Sequence, residues 1–333
     1  MARDDESEVD GRSARLRWAA RIFVVGGFAL TVWLCGPRAV EVLAARYRQA
    51  AAQSPAIDLD QVGFVAEPDW LAGPLLLAIS AELGPWLQNR IAILDEPACQ
   101  QLEADLATSP WVREVAISRV FPDKFRLAVD LRRPVLGVQD GDGVLQCLVD
   151  RDGFALPPVE TELPFVRLYR EGGSPRVRAA VGEAVGEPRV LAAIGIALEW
   201  RDELEPVVPD CPRLLEIDTT NLGERWMRGR SYPEVRVKLA RDDGLAVICG
   251  YGRPVDSPLP RVATATKATV LTRILAKKPA LRGLVAADLR FVNRWADYLQ
   301  PREPGVPDPD GPWSDLEQLF TDPAPATRPP SGR

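Results

Sequence analysis

A strict alternation of apolar and polar side chains over residues 124–132 constrains the fold of this chain more than any other feature. Its apolar residues share one face of an extended chain, and its charged residues share the other face with one alanine. This period of two predicts a β-strand with one face on a core and one in water. The apolar set is Phe125, Leu127, Val129 and Leu131.

A second strand and two helices are predicted before this segment. Val115 and Ile117 alternate with polar neighbours, and a Phe-Pro-Asp turn joins them to the alternating strand. One helix is predicted over about residues 69–83, and another after the start signal Asp95-Glu96-Pro97. A short strand near residues 59–65 completes the order strand, helix, helix, strand, strand. This order predicts an α+β domain over residues 57–135, with both helices on one face of a sheet.

Residues 136–300 show mainly short strand patterns, interrupted by two helical stretches. They predict a second domain with a mixed, mostly antiparallel sheet. The fold class is therefore α+β throughout. The predicted strands lie at about 144–149, 165–168, 235–239, 245–249 and 284–292, and the helices at about 190–200 and 263–275.

An uncharged apolar run occupies residues 22–37. Extended to 18–40, it would form a helix of about 34 Å, enough for a bilayer core of about 30 Å. Five arginines precede the run and three follow it, which favours a cytoplasmic N-terminus. The sequence thus predicts a cytoplasmic tail at 1–17, a transmembrane anchor helix at 18–40 and a juxtamembrane helix or linker at 41–56. A cleaved signal peptide and a buried soluble helix are the alternatives.

The residue content argues against catalysis and against metal binding. The chain has no histidine, which removes the usual general base and the commonest metal ligand. No nucleotide-binding loop or nucleophile-elbow motif occurs. Net charge is −6, so nothing overall favours nucleic acid. We expect a binding protein without a cofactor, not an enzyme.

Four cysteines lie outside the apolar run, with no CxxC spacing. They are either isolated buried residues or members of up to two disulfides. The sequence does not decide the pairing. These cysteines are Cys99, Cys147, Cys211 and Cys249.

The last 33 residues, 301–333, contain nine prolines and predict a disordered tail. Within them, residues 313–320 (WSDLEQLF) place four apolar side chains at helical spacing. This island is either a docking motif that folds on a partner or a stray apolar patch.

Residues 102–135 resemble the POTRA domain of the bacterial cell-division proteins FtsQ and DivIB. The resemblance rests on a Pro-Trp-Val after a helix, an arginine in the next strand, an aromatic-Pro turn and a Pro at the exit. The matching residues are Trp111, Arg119, Phe121, Pro122 and Pro134. Leu131 stands where the family usually has glutamate.

Two further motifs extend the resemblance over about residues 15–300. Residues 148–153 (LVDRDG) are similar to the L-V-D-x-x-G at the start of the family's β domain. Residues 287–291 (ADLRF) look like its last strand, which carries a D-x-R-aromatic signature.

The resemblance implies a scaffold of the division machinery at the septum. Such a protein sits in the inner membrane by a single helix with its bulk in the periplasm. It holds FtsB-like and FtsL-like membrane proteins through its β domain, and its POTRA domain contributes to recruitment by upstream division proteins. Strand addition to the C-terminal strand is the implied mode. The contact candidates are Asp288, Arg290, Phe291 and Asn293.

Two alternatives stay open. Phe291 and its neighbour Leu289 could simply be core residues of the last strand. At the level of function, the alternative is a POTRA-containing cell-envelope assembly or secretion scaffold with other partners.

Overall fold

The computed structural model describes residues 38–50, 53, 56–58, 70–71, 73–88, 90–120, 124–168, 179–223 and 232–301. These residues form an α+β protein with two compact units. The first unit falls within Met1–Gly63, Trp86–Ala104 and Ala116–Ala128. The second falls within Phe64–Pro85, Asp105–Val115 and Val129–Arg333. The domain limits drawn from the sequence stay predictions.

The order of elements before residue 132 differs from the prediction. Helix α1 covers residues 38–50 and precedes strand β1 (Ala56–Asp58). Helix α2 (Gly73–Leu87) is followed by strand β2 (Arg90–Ala92), which pairs antiparallel with β1, and then by helix α3 (Glu96–Ala107).

A strand therefore separates α2 from α3. The predicted POTRA-like β-α-α-β-β order is wrong, because the short stretch Arg90–Ala92 forms β2. Strands β3 (Val112–Val120) and β4 (Lys124–Leu131) form a two-stranded sheet of their own. The strand predicted at 59–65 lies outside the described residues.

The alternation at residues 124–132 is confirmed in β4. Phe125, Leu127 and Leu131 are buried, while Lys124 and Arg126 are exposed. Helix α3 also begins as predicted, because the Asp95 side chain accepts a hydrogen bond from the backbone N–H of Ala98. By contrast, α2 does not stop at Gly84-Pro85 but continues through Pro85 to Leu87.

The prediction of a membrane-spanning helix is corrected by the structure. Among the described residues, no helix has both the length and the apolar character needed to cross a bilayer. Only residues 38–40 of the predicted anchor at 18–40 are described. They belong to α1, whose described residues are exposed and include charged side chains such as those of Arg38 and Glu41. Residues 18–37 and the predicted cytoplasmic tail lie outside the described part.

The described part of the second unit is built on a nine-stranded sheet. Its order is β13-β12-β11-β10-β9-β8-β5-β6-β7. Five neighbouring pairs are antiparallel and three are parallel. The strands are β5 (Pro134–Gln139), β6 (Leu145–Asp150), β7 (Ala155–Leu156), β8 (Phe165–Arg167), β9 (Leu214–Asp218), β10 (Val235–Ala240), β11 (Ala246–Gly252), β12 (Leu284–Asp288) and β13 (Gln300–Pro301).

Two of the parallel pairs explain the two helices of this unit. Helix α4 (Pro188–Glu199) connects β8 to β9, and helix α5 (Thr264–Lys277) connects β11 to β12. Parallel neighbours require such crossovers, since a tight turn can join only antiparallel strands. A π-helical turn, Trp200–Leu204, extends α4 and contacts α5.

Strand β10 shows why the sheet has one apolar face and one ionic face. Val235, Val237 and Leu239 are fully buried in the core cluster, as their alternation predicts. The residues between them point the other way and pair with acids directly opposite on β9. Arg236 is ion-paired with Asp218, and Lys238 Nζ lies 2.9 Å from Glu216 Oε2. These cross-strand pairs specify the register of β9 against β10.

A buried charge cluster joins the end of α4 to the start of α5. Lys267 and Glu199 are both almost fully buried, with Lys267 Nζ 3.0 Å from Glu199 Oε1 and 3.6 Å from the centroid of the Tyr251 ring. Thr264 and Arg261 also donate hydrogen bonds to the Glu199 carboxylate.

Burial and ion pairing shift the pKa values of Lys267 and Glu199 in opposite directions. Burial lowers the pKa of Lys267 to about 8, although Glu199 opposes the shift. Burial alone would raise the pKa of Glu199, but Lys267 and Thr264 hold it below its ordinary value. The cluster is therefore a buried ion pair, and its lysine holds its proton less tightly than a lysine in solvent does.

We expect the Glu199→Gln variant to lose about 3–5 kcal/mol of unfolding free energy, because it leaves a buried ammonium without its anion. Since the pKa of Lys267 is lower when folded than its ordinary 10.5, stability contributed by this lysine rises with pH above about 8. Glu199 raises the pKa of Lys267, so in the variant that pKa falls further and the lysine is buried as a neutral amine at pH 9. The unpaired ammonium persists at lower pH, so the loss should be larger at pH 6 than at pH 9. Urea unfolding at both values measures it, with the exposed Glu205→Gln as the matched control. A penalty that does not change with pH would contradict the coupling to Lys267.

Candidate functional site

The four predicted partner contacts lie together at one corner of the large sheet. Strand β12 ends at Asp288, and the chain then turns through residues 289–294 into a short 3-10 helix, Trp295–Tyr298. Asn293 is exposed, and Phe291 is half-buried. The predicted last strand at 284–292 is too long, because the strand ends at Asp288. The terminal strand of the described chain is β13 instead.

Asp288 does not face solvent, since its exposed fraction is only 1%. Its Oδ1 accepts a hydrogen bond of 3.0 Å from the backbone N–H of Arg290, which closes a turn. The Arg290 guanidinium folds back onto the same carboxylate, with Nη2 2.6 Å from Oδ2. Asp288 therefore positions Arg290 and is not itself available to a partner.

Burial raises the pKa of Asp288, and the pairing with Arg290 works against that rise. The carboxylate is held in a tight space, because Gly250 lies opposite it on β11. A Cβ atom at Gly250 would be 2.7 Å from Asp288 Oδ2. The backbone N–H of Leu289 donates to the carbonyl of Gly250 at 2.9 Å. Glycine is thus needed at position 250 for close approach.

Aromatic rings form the outer part of this corner. Phe291 stacks on Tyr298 with ring centroids 4.4 Å apart and planes inclined by 14°. The Arg290 guanidinium carbon lies 4.8 Å from the centroid of Phe291, and Lys277 Nζ lies 5.6 Å from that of Trp295. Such cation–π contacts keep these side chains on the surface in fixed positions. Phe291 has an aromatic partner in its own chain and still exposes part of its ring.

Sequence reasoning identified Phe291 but missed Trp295, Tyr298 and Lys277. The available signal was the spacing of the aromatics at 291, 295 and 298, which is typical of one face of a helical turn. The cations could not be found from the sequence, because Lys277 lies on α5, 18 positions before Trp295, and no local pattern links the two.

The described residues of the POTRA-like motif are divided between the two units, and each is taken by itself. Trp111 is fully buried, and its carbonyl accepts a hydrogen bond from the Arg132 N–H at 2.7 Å. Arg119 is ion-paired with Glu96 in the first unit. Pro134 is the buried first residue of β5. Phe121 and Pro122 lie outside the described residues.

The L-V-D-x-x-G stretch forms the turn between β6 and β7. Asp150 Oδ1 accepts hydrogen bonds from the backbone N–H groups of Asp152 and Phe154, at 2.9 and 2.8 Å. Gly153 has φ +78°, a conformation that favours glycine. Arg132 pairs with Asp150 at 2.9 Å and lies over the Phe154 ring. The motif therefore has a structural role at the sheet.

The four described cysteines are unpaired thiols, and three of them are buried. Burial raises the pKa of Cys147 to about 11, so little reactive thiolate exists near neutral pH. Within the described residues, no group of three or more cysteine or acidic side chains is arranged to hold a metal ion.

No protein-family model matches the chain, and no curated protein matches it. The motifs and the geometry of the corner are therefore the basis for assigning a function.

We expect Gly250→Ala to cost about 1–3 kcal/mol of unfolding free energy, because the added methyl group overpacks the Asp288 carboxylate. Gly84→Ala is the matched control, since a Cβ there meets nothing within 4 Å and alanine favours the α2 helix. Chemical denaturation of both variants measures the difference. A Gly250→Ala protein as stable as the wild type would show that the corner can adjust around Asp288.

Proposed function

We propose that this chain is a cell-division scaffold of the FtsQ/DivIB type. It acts at the division septum, at the cytoplasmic membrane, and binds membrane proteins that resemble FtsB and FtsL. Support comes from the order of the family-like motifs and from the corner after β12. There, a half-buried phenylalanine, an arginine and an exposed asparagine stand beside the last strand of the sheet.

The observation that carries this proposal is the position of β13. In the described part of the chain, β13 is the outermost strand at this end of the sheet and pairs with β12 only at Leu284 and Ala286. A partner segment can extend a sheet by pairing with an edge strand, and the two residues of β13 would offer it only a few backbone groups because Pro301 has no N–H. The proposed strand addition therefore takes place at β13, which is the C-terminal strand of the structure.

Side chains near β13 would supply selectivity in this arrangement. Phe291 stacks on Tyr298, which lies two residues before Gln300, so its ring is held close to the strand. Asn293 is exposed and can exchange hydrogen bonds with a partner. Arg290 offers a cation that its pairing with Asp288 holds in one orientation. Asp288 supports the site without touching the partner.

The first test is cellular. A fluorescently tagged full-length protein should concentrate at mid-cell, and its depletion should produce filaments or failed septation, because the scaffold would no longer recruit its partners. Uniform labelling of the envelope together with normal division after depletion would rule the proposal out.

The second test addresses the side chains. Phe291→Asp should reduce crosslinked recovery of small single-pass partners by roughly 30-fold, since loss of a central aromatic contact costs about 2 kcal/mol. Leu259→Asp, at an exposed loop position, is the matched control. Because Phe291 also packs on Tyr298, the exposed Asn293→Arg gives an independent variant that leaves the stack intact. Unchanged recovery with both Phe291→Asp and Asn293→Arg would eliminate this contact surface.

The third test addresses the strand itself. A photo-reactive residue at Gln300 should crosslink to the partner in cells, whereas the same residue at Val207, which is 62% exposed, should not. Equal labelling from both positions would argue against strand addition at β13.

A further inference from the structure

A group of cations surrounds the aromatic corner of the second unit. We call it the basic–aromatic surface, and it consists of Phe291, Trp295, Arg273, Lys277, Arg290 and Arg294. Phe291 and Trp295 are partly exposed, and Arg273, Lys277 and Arg294 are exposed. The Arg273 guanidinium donates a 3.0 Å hydrogen bond to the carbonyl of Val292, which ties α5 to the turn after β12.

The basic–aromatic surface carries more cationic than acidic side chains. Its carboxylates are Asp288, which is buried under Arg290, and Asp297, which lies 3.1 Å from Arg294. Arg273 bonds to a carbonyl and Lys277 lies over a ring, and in the described part of the chain neither forms a salt bridge. The surface therefore has two cations that can attract acidic groups, next to apolar rings that are partly open to solvent.

The chain beyond β13 has the complementary composition. Residues 303–322 contain six acidic residues and no lysine or arginine. They include the segment 313–320, whose Trp313, Leu316, Leu319 and Phe320 recur at helical spacing. The acids Asp315 and Glu317 lie between these apolar residues, so one short helix would present both kinds of group.

The point where this tail leaves the sheet places it beside the surface. Pro301 ends β13 three residues after Tyr298, which stacks on Phe291. From there to Trp313 the chain can reach about 40 Å, at about 3.3 Å per residue. A ligand tethered by so short a linker has an effective concentration of about millimolar order. Even a weak attraction would then keep the segment bound.

We propose that residues 313–320 of the same chain dock on the basic–aromatic surface. The apolar side chains of the segment cover Phe291 and Trp295, and its carboxylates face Lys277 and Arg273. This docking goes beyond the proposed function and does not require a division partner. A docked tail would also cover Arg290 and Phe291, so any partner that used them would have to displace it.

Zero-length carbodiimide crosslinking of the purified full-length protein tests this docking without any partner. The reagent joins a lysine amine to a carboxylate in contact with it, and the chain has only five lysines. We expect mass spectrometry of the monomer to find Lys277 joined to Asp315 or Glu317. The exposed Lys124, on β4, should give no such product.

Charge reversal supplies the matched controls. Arg273→Glu should reduce the Lys277 product about fivefold, the effect expected from losing one surface ionic contact. Arg126→Glu, an equally exposed change on β4, should leave it unchanged. Chymotryptic cleavage after Phe320 should accelerate in Arg273→Glu and not in Arg126→Glu, which reports docking even if the crosslinking geometry is poor.

Three results would overturn the proposal. Tail crosslinks to Lys124 as frequent as those to Lys277 would mean nonspecific collapse. Products found only in a covalent dimer would mean that a second copy supplies the segment. Absence of a Lys277 product, combined with identical cleavage rates in the wild type and Arg273→Glu, would mean that the surface does not hold the tail. These results leave the proposed function untouched, since none of them involves a partner.

Discussion

The large sheet depends on buried aspartates at the ends of its strands. Four of them accept a hydrogen bond from the backbone N–H two residues later, and so turn the chain as the strand ends. A buried carboxylate without partners would be costly, so each also has a second donor. These residues are Asp140, Asp150, Asp218 and Asp288, and their further donors are Gln146, Arg132, Arg236 and Arg290.

One of these buried aspartates connects the interior of the large sheet to the candidate site. The same Asp288 that ends β12 also orients Arg290, and Gly250 on the neighbouring strand makes room for the carboxylate. The outer face of the corner is therefore fixed from inside the sheet. A contact residue can be rigid only if its own partners hold it, which is the condition that a selective binding surface must meet.

The family-like motifs acquire a physical meaning from the same interactions. In L-V-D-x-x-G, Asp150 closes the turn and Gly153 adopts the left-handed conformation that the turn requires. In D-x-R-aromatic, the Asp288 carboxylate closes the turn by accepting a hydrogen bond from the backbone N–H of Arg290. Each motif thus encodes a turn with a buried acid. The turn after Asp288 was not predicted, because residues 284–292 were assigned to one strand. The strand order of the whole N-terminal part depended on the pairing of Arg90–Ala92 with Ala56–Asp58, which no local pattern reveals.

The difference between local patterns and long-range pairing also separates what the sequence predicted from what it did not. Strands β4 and β10 and helices α4 and α5 have clear periodicity, so their positions agree with the prediction within a few residues. Strand β9 was missed, although Glu216 and Asp218 have the two-residue spacing of Lys238 and Arg236 opposite them. The burial of Lys267 could not be predicted from local patterns, because its partner Glu199 is 68 positions away. For the site, Phe291 came from a motif, but the cations of α5 reach it only through tertiary structure.

The position of β12 in the order of synthesis has a consequence for how the protein matures. Strand β11 pairs with β10 on one side, and its other side pairs with β12, which is synthesised only after helix α5. A nascent chain therefore carries β11 with one row of backbone donors and acceptors uncovered until residues 284–288 have been made. A protein truncated before residue 284 would lack β12, and the uncovered edge of its β11 would be prone to pairing with other unfinished chains.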